Sequence, residues 1–162
     1  SQNQKIHVKI SLKIVLSTLI LLLVSTQIRA QEATKAHKDS LGTIIKNYYS
    51  LNLKMFQAGS TVEDIDKAFA LFTDNFTYVH SKYGGNYTRE SLYKSALRNQ
   101  QEGRYNGTVV DMKIANRIIG LNGAAVQKRF VEKKDGKIIE SELQMTLFEF
   151  KDGKISRIVE YW

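Results

Sequence analysis

From residue 41 onward the hydrophobic period of the chain changes from helical to strand-like, back and then to strand-like again. Leu41, Ile44, Ile45, Tyr48, Leu51 and Met55 recur at intervals of three and four, which predicts an amphipathic helix of about five turns. Gly59 stands where such a helix would end in a left-handed residue. Ser60 and Glu63 have the spacing of a capping box and predict a second helix, with Val62, Ile65, Phe69 and Phe72 on its inner stripe. The period then falls to two, so that Phe76, Tyr78 and His80 share one face of a short strand and Thr77 and Val79 the other. Gly84-Gly85 turns the chain. Thr88 caps a third helix that carries Leu92, Tyr93, Ala96 and Leu97 on its buried side, and Gly103 closes it.

From Tyr105 the pattern is all β. Asn122-Gly123, Asp135-Gly136 and Asp152-Gly153 are favoured two-residue hairpin turns, and they divide the remainder into long strands at about 105–120, 123–134, 137–151 and 154–162. Helices followed by an antiparallel meander predict an α+β domain with the helices packed on one sheet face. The run from Leu143 to Phe150 is apolar on both faces: Leu143, Met145 and Leu147 point one way, Phe148 and Phe150 the other. A sheet wetted on one side would be polar there. The second face is therefore expected to be covered, by a homodimer through the outer sheet face.

The first thirty residues follow a different rule. Lys5, Lys9 and Lys13 precede an apolar run from Ile14 to Val24, and Ser25-Thr26-Gln27-Ile28-Arg29-Ala30 follows it. This is the charged, apolar, small-residue order of a secretory signal. The expected organisation is a signal peptide at 1–30 cleaved after Ala30, a flexible mature N-terminus at 31–37, and one domain at 38–162. The run is shorter than the roughly 20 residues that span a bilayer, so no membrane attachment is expected after cleavage, and the protein is placed in a bacterial periplasm or outside the cell.

Charge and composition narrow the chemistry. The formal net charge of +8 comes from 24 Lys and Arg against 16 Asp and Glu. Taking away Lys5, Lys9, Lys13 and Arg29 leaves +4, and the remaining bases alternate with acids, as where Lys128-Arg129 precedes Glu132. That reads as a solvated sheet face rather than a phosphate-binding stripe, and no nucleic-acid partner is expected. The absence of cysteine excludes disulfides, thiolate metal sites and a cysteine nucleophile. His7, His37 and His80 lack ligand-spaced partners, so no metal is expected, and no glycine-rich phosphate loop or nucleophile elbow calls for a cofactor.

Two stretches resemble a known family. Ala68-Phe69-Ala70-Leu71-Phe72-Thr73-Asp74-Asn75-Phe76-Thr77-Tyr78-Val79-His80 and Phe148-Glu149-Phe150-Lys151-Asp152-Gly153-Lys154-Ile155 are similar to motifs of the nuclear transport factor 2-like superfamily, which includes the SnoaL-like proteins. The resemblance covers about residues 38–162. It implies a cone: three N-terminal helices packed on a strongly curved antiparallel sheet whose concave face holds a pocket. The superfamily's ketosteroid isomerases use an Asp base with a Tyr and a protonated Asp as oxyanion donors. The resemblance places the base at His80, which can move protons near neutral pH. It places the tyrosine donor at Asn52, with Tyr48 and Tyr49 one turn earlier, and the acidic donor at Thr146. Two of three positions depart from the isomerase set, which argues against a steroid isomerase.

The resulting expectation is a hydrophobic pocket for a small, largely apolar molecule. Tyr49, Asn52, Tyr78, Tyr83, Asn99, Gln144 and Thr146 are the candidate ligand-binding residues and His80 the candidate catalytic residue. Tyr83 is placed at the pocket mouth, and Trp162 against the end of the sheet. A lyase or isomerase using His80 as general base is the alternative, and a dimeric protein-interaction module the third reading.

Overall fold

The structure, a computed structural model, describes residues 33–162. The expected signal peptide at 1–30 lies outside the described residues. Among the described residues three helices, α1 (Lys35–Met55), α2 (Val62–Phe69) and α3 (Arg89–Gln101), accompany seven strands. These are β1 (Phe72–His80), β2 (Gly85–Thr88), β3 (Val109–Ile119), β4 (Gly123–Lys134), β5 (Lys137–Glu140), β6 (Gln144–Lys151) and β7 (Lys154–Tyr161). A single 3₁₀ turn, Ser81–Tyr83, joins β1 to β2.

Local signals explain most helix ends, sometimes one residue away from where the spacing puts them. Thr34 caps α1 by accepting from the His37 amide. Residues 35–37, expected to be flexible, are therefore helical. α1 stops at Met55, where the Phe56 amide still bonds the Asn52 carbonyl, and Gly59 (φ +81°) lies in the following turn rather than at the helix end. The Gln57 side-chain amide donates to the Leu53 and Val109 carbonyls and ties that turn to the sheet. The capping box of α2 is Thr61 with Asp64, not Ser60 with Glu63. Both pairs have the right spacing. Burial selects the second, because it leaves Val62 44% exposed and turns Ile65, Ala68 and Phe69 inward. Phe72 falls in β1 instead of on the α2 stripe, and it still reaches the core. Thr88 caps α3 as its position suggests.

The sheet runs β2-β1-β7-β6-β4-β3, with β5 also on β4. It is mixed rather than wholly antiparallel: β1 pairs with β7 in parallel, Thr77–His80 against Arg157–Glu160. Strand patterning specifies faces but not which strands become neighbours, so this pairing is a product of the closed fold. The expected strand at 137–151 is broken at Ser141–Leu143. There Ser141 bonds Phe130 through both its amide and its hydroxyl, and β5 and β6 pair separately with β4. Register shifts in β3–β4, β6–β7 and β1–β7 bend the sheet further.

The hairpin turns at Asp135-Gly136 (φ 50° and 74°) and Asp152-Gly153 (φ 52° and 73°) have both residues in the left-handed region, as the tight turn requires. Asn122-Gly123 is not such a turn. The loop is Gly120–Asn122, closed by the Gly120 amide on the Gly123 carbonyl at 2.8 Å, and Gly123 already belongs to β4.

The concave face and the helices enclose an aromatic core. Phe72 stacks on Phe76 with ring centres 3.9 Å apart, and Tyr48 of α1 meets Phe148 edge-on at 5.4 Å. Along β6, Thr146, Phe148 and Phe150 face inward while Leu143 and Met145 are exposed and Leu147 half-buried. Among the described residues no helix is long and apolar enough to cross a membrane.

Candidate functional site

The interior of the cone holds two cavities that share Tyr48, Asn52, Phe56 and Tyr78 in their walls. The larger, about 240 Å³, lies among α1, α2, α3 and β1 and is walled mainly by Phe69, Phe72, Phe76, Leu92 and Ala96, with Asn99 and Ser95 as polar points. The smaller, about 190 Å³, extends towards β4 and β7, where Tyr49, Lys128, Phe130, Glu160 and Trp162 close it. An apolar chamber with a few converging polar groups is the usual architecture of a small-molecule site.

The polar end is built from strand alternation. Lys128 is in phase with Ala124 and Val126 on β4, and Glu160 with Ile158 on β7, so both point into the cone. Lys128 is 1% exposed and Glu160 4%, which corrects the reading of Lys128 as part of a solvated face. Glu160 Oε2 accepts from the Thr146 hydroxyl at 2.7 Å and from Trp162 Nε1 at 2.7 Å. Lys128 Nζ stands 3.4 Å from the same oxygen and donates to Gln144 Oε1 at 3.0 Å. The ammonium also lies over the rings of Phe130 and Trp162, 4.7 Å and 5.1 Å from their centres. Burial pushes the Lys128 ammonium below its ordinary pKa, and Glu160 opposes that shift without cancelling it. Burial likewise raises the phenols of Tyr48, Tyr49 and Tyr78, and the Glu160 charge adds to the rise at each.

The candidate residues divide among three places. Asn52 and Tyr78 line both cavities, Tyr49 the smaller and Asn99 the larger. Thr146 and Gln144 line neither: they stand behind the cavity and hold Glu160 and Lys128 in place. His80 is the parallel-strand neighbour of Glu160 and is 4% exposed, yet neither ring nitrogen has a hydrogen-bond partner. Its ring is packed 4.5 Å from Tyr83 and 4.5 Å from Trp162, and it lines neither cavity. The expected convergence of His80, Asn99, Gln144 and Thr146 on one space is thus not observed, because Tyr83 and Trp162 cover His80 while Gln144 and Thr146 are bonded to Lys128 and Glu160. Tyr83 is 62% exposed and covers His80 instead of lining a cavity.

Tyr49 Oη is buried and makes no hydrogen bond. Its polar neighbour, the Thr146 hydroxyl, donates to Glu160 and keeps its own lone pairs as acceptors on the Tyr49 side. Lys128 and Glu160 are the charged pocket residues that sequence reasoning missed, and Trp162, expected against the end of the sheet or at a pocket mouth, closes the smaller cavity. The signal for the first two was present: each is a charge in register with an apolar inner face. No group of three or more His, Asp or Glu among the described residues is arranged to hold a metal ion.

Compared with models of protein families and with characterised proteins, the sequence matches none. Its fold does match solved structures. An epoxide hydrolase of Mycobacterium tuberculosis, described as LEH-like, superposes with TM-score 0.55 at 15% identity, over 76% of this chain and 83% of that one. An NTF2-like protein of unknown function from Cytophaga hutchinsonii gives TM-score 0.53 at 13% identity, over 76% and 96%. A hypothetical protein with a ketosteroid isomerase-like fold from Catenulispora acidiphila, in complex with trimethylamine, gives 0.52 at 15% identity, over 74% and 84%. The fold is therefore the nuclear transport factor 2-like α+β cone. Identities this low define the architecture and leave the activity to the site itself.

Proposed function

We propose that this is an exported protein whose cone binds a small, largely apolar molecule. The observation that carries the reading is the chamber between α1 and the sheet, aromatic along its length and polar at the Tyr49–Lys128–Glu160 end. A ligand there would bury its apolar body against Phe69, Phe72 and Phe76 and present one polar group to the tyrosines and Asn52. The small-molecule complex of the trimethylamine-bound neighbour is in keeping with use of this fold for ligands. A lyase or isomerase based on His80 is less well supported, since a general base must come within hydrogen-bond reach of its substrate. Here Trp162 and Tyr83 stand against the ring.

Native mass spectrometry and solvent extraction of the purified protein test the binding reading. A retained molecule with an apolar body is expected. A protein that carries nothing and shows no thermal stabilisation by a panel of small aromatic and alicyclic compounds overturns it. Export is tested by sequencing the mature N-terminus, which should begin at Gln31. Intact residues 14–24 in the functional form would refute it.

A second reading rests on the outer face. Ile118, Ala125, Leu147, Val159 and Val79 lie in register across five strands, and Ile118 is 72% exposed. Leu143, Met145 and Tyr161 extend the same surface. A homodimer through this face would cover it.

A further inference from the structure

Lys128 is a buried nucleophilic side chain that simple apolar binding does not use. Its setting differs from that of a structural ion pair. A strong charge-assisted N–H···O contact is about 2.7–2.9 Å long, whereas Lys128 Nζ is 3.4 Å from Glu160. The carboxylate oxygen it faces is already bonded at 2.7 Å by Thr146 and at 2.7 Å by Trp162. Gln144 supplies one good acceptor at 3.0 Å, and the remaining surroundings are the faces of Phe130 and Trp162. The amine is thus incompletely solvated, lines the smaller cavity, and has a carboxylate close enough to exchange a proton with it. Burial favours its neutral form, which is the nucleophilic one. Tyr49 adds a buried hydroxyl with no partner on the wall of the same cavity.

We propose that Lys128 captures a small, largely apolar aldehyde or ketone as a reversible imine in the cone. The proposal rests on the binding reading and names the chemical class of its ligand. The neutral amine attacks the carbonyl carbon, and its lone pair forms the C–N bond as the C=O π electrons move to oxygen. Glu160 has taken one proton from the Lys128 ammonium to free that amine, and after the attack the nitrogen passes a proton to the alkoxide to give the carbinolamine. The nitrogen lone pair then expels the hydroxyl group, which leaves as water with a proton returned by Glu160. The product is the protonated imine. Carbonyl and the Lys128 ammonium yield the protonated imine and water, with no oxidant or reductant. Glu160 serves as proton acceptor and donor, and Tyr49 is placed to donate a hydrogen bond to the carbonyl oxygen as it gains charge. The other titratable groups facing this end are Tyr48 on α1 and Tyr78 and His80 on β1, the last behind Trp162.

The test uses trans-cinnamaldehyde and, as a non-electrophilic match, cinnamyl alcohol. Wild-type protein is incubated with substoichiometric aldehyde and sodium cyanoborohydride, which reduces the imine to a stable secondary amine, and labelled peptides are mapped. Lys128 should be labelled about tenfold or more faster than any surface lysine. Excess cinnamyl alcohol should suppress that label by occupying the cavity. Lys128→Met should abolish the fast label while leaving the slow surface labelling unchanged. Glu160→Gln, which keeps the shape of the side chain, should slow labelling at Lys128. Binding of the alcohol is followed separately through Trp162, the chain's only tryptophan. If the alcohol binds but aldehyde labels only surface lysines, the imine proposal is overturned and the binding reading stands. If neither compound binds and Lys128 is not labelled, both fall.

Discussion

Replacing Glu160 with leucine removes the only anion that, among the described residues, is bonded to a lysine 1% exposed. At 3.4 Å the attraction lost is about 5 kcal/mol for an effective dielectric constant of about 20. The Thr146 hydroxyl, fully buried, and the Trp162 N–H lose their acceptor in the same step. Partial relaxation brings the expected cost to roughly 3–5 kcal/mol, the range for breaking a buried pair from one side. The pH dependence makes the reasoning specific. With Glu160 gone, the folded state holds Lys128 neutral over a range in which the unfolded chain keeps it protonated. The unfolded state then binds more protons, so stability rises with pH, by up to about 1.4 kcal/mol per unit, until the pH reaches the ordinary lysine value of 10.5. Pairing Glu160→Leu with Lys128→Met removes both charges, should cost less than Glu160→Leu alone, and should flatten the pH profile. Urea denaturation followed by far-ultraviolet circular dichroism measures all three proteins without relying on Trp162. A cost under about 1 kcal/mol for Glu160→Leu, with no dependence on pH, would refute the claim that this ammonium sits in a dry site.

Three further outcomes are expected. The Lys54 ammonium at 2.8 Å, helped by the Thr61 amide, holds Asp64 down at about 2 against an ordinary 3.8. The stability it contributes, about 1 kcal/mol after allowing for the exposed lysine, is complete above pH 4 and lost as pH falls through 2, so Asp64→Asn should shrink the acid limb of a melting-temperature profile. Burial raises the pKa of Tyr48, Tyr49 and Tyr78 above 10.0. Their contribution is present below pH 10 and lost above it, so phenolate absorbance at these rings should rise together with unfolding, and ionisation in a still-folded protein would contradict the burial. If the outer face is a dimer contact, Met145→Glu should give a monomer in sedimentation velocity with the fold intact; a wild type already monomeric at micromolar concentration would end that reading.

Elements and faces were legible in the sequence because they depend on near neighbours. The helical spacing of Leu41 to Met55, the inward set Phe76, Tyr78 and His80, and the opposition of Met145 to Phe148 all follow from backbone geometry that every strand or helix shares. The two Asp-Gly hairpins are legible for the same reason, since the left-handed backbone they need is local. Asn122-Gly123 looked the same, but its loop is shaped by Gly120 and by the pairing of Gly123 with β6. Which cap starts α2 was a choice between equal spacings, settled by what lies beneath the helix. The parallel pairing of β1 with β7 and the break at Ser141 also depend on distant partners. The site was divided in the same way. Tyr78 and Asn99 could be placed on inward faces one element at a time, and the family resemblance supplied Asn52. The union of Lys128, Thr146 and Glu160 could not, because it needs β4 to pair with the β6–β7 hairpin in one register, and the covering of His80 by Trp162 depends on the parallel pairing of β1 with β7. A charge on an apolar face marks a cost in the sequence, and only the tertiary structure supplies the partner that offsets it.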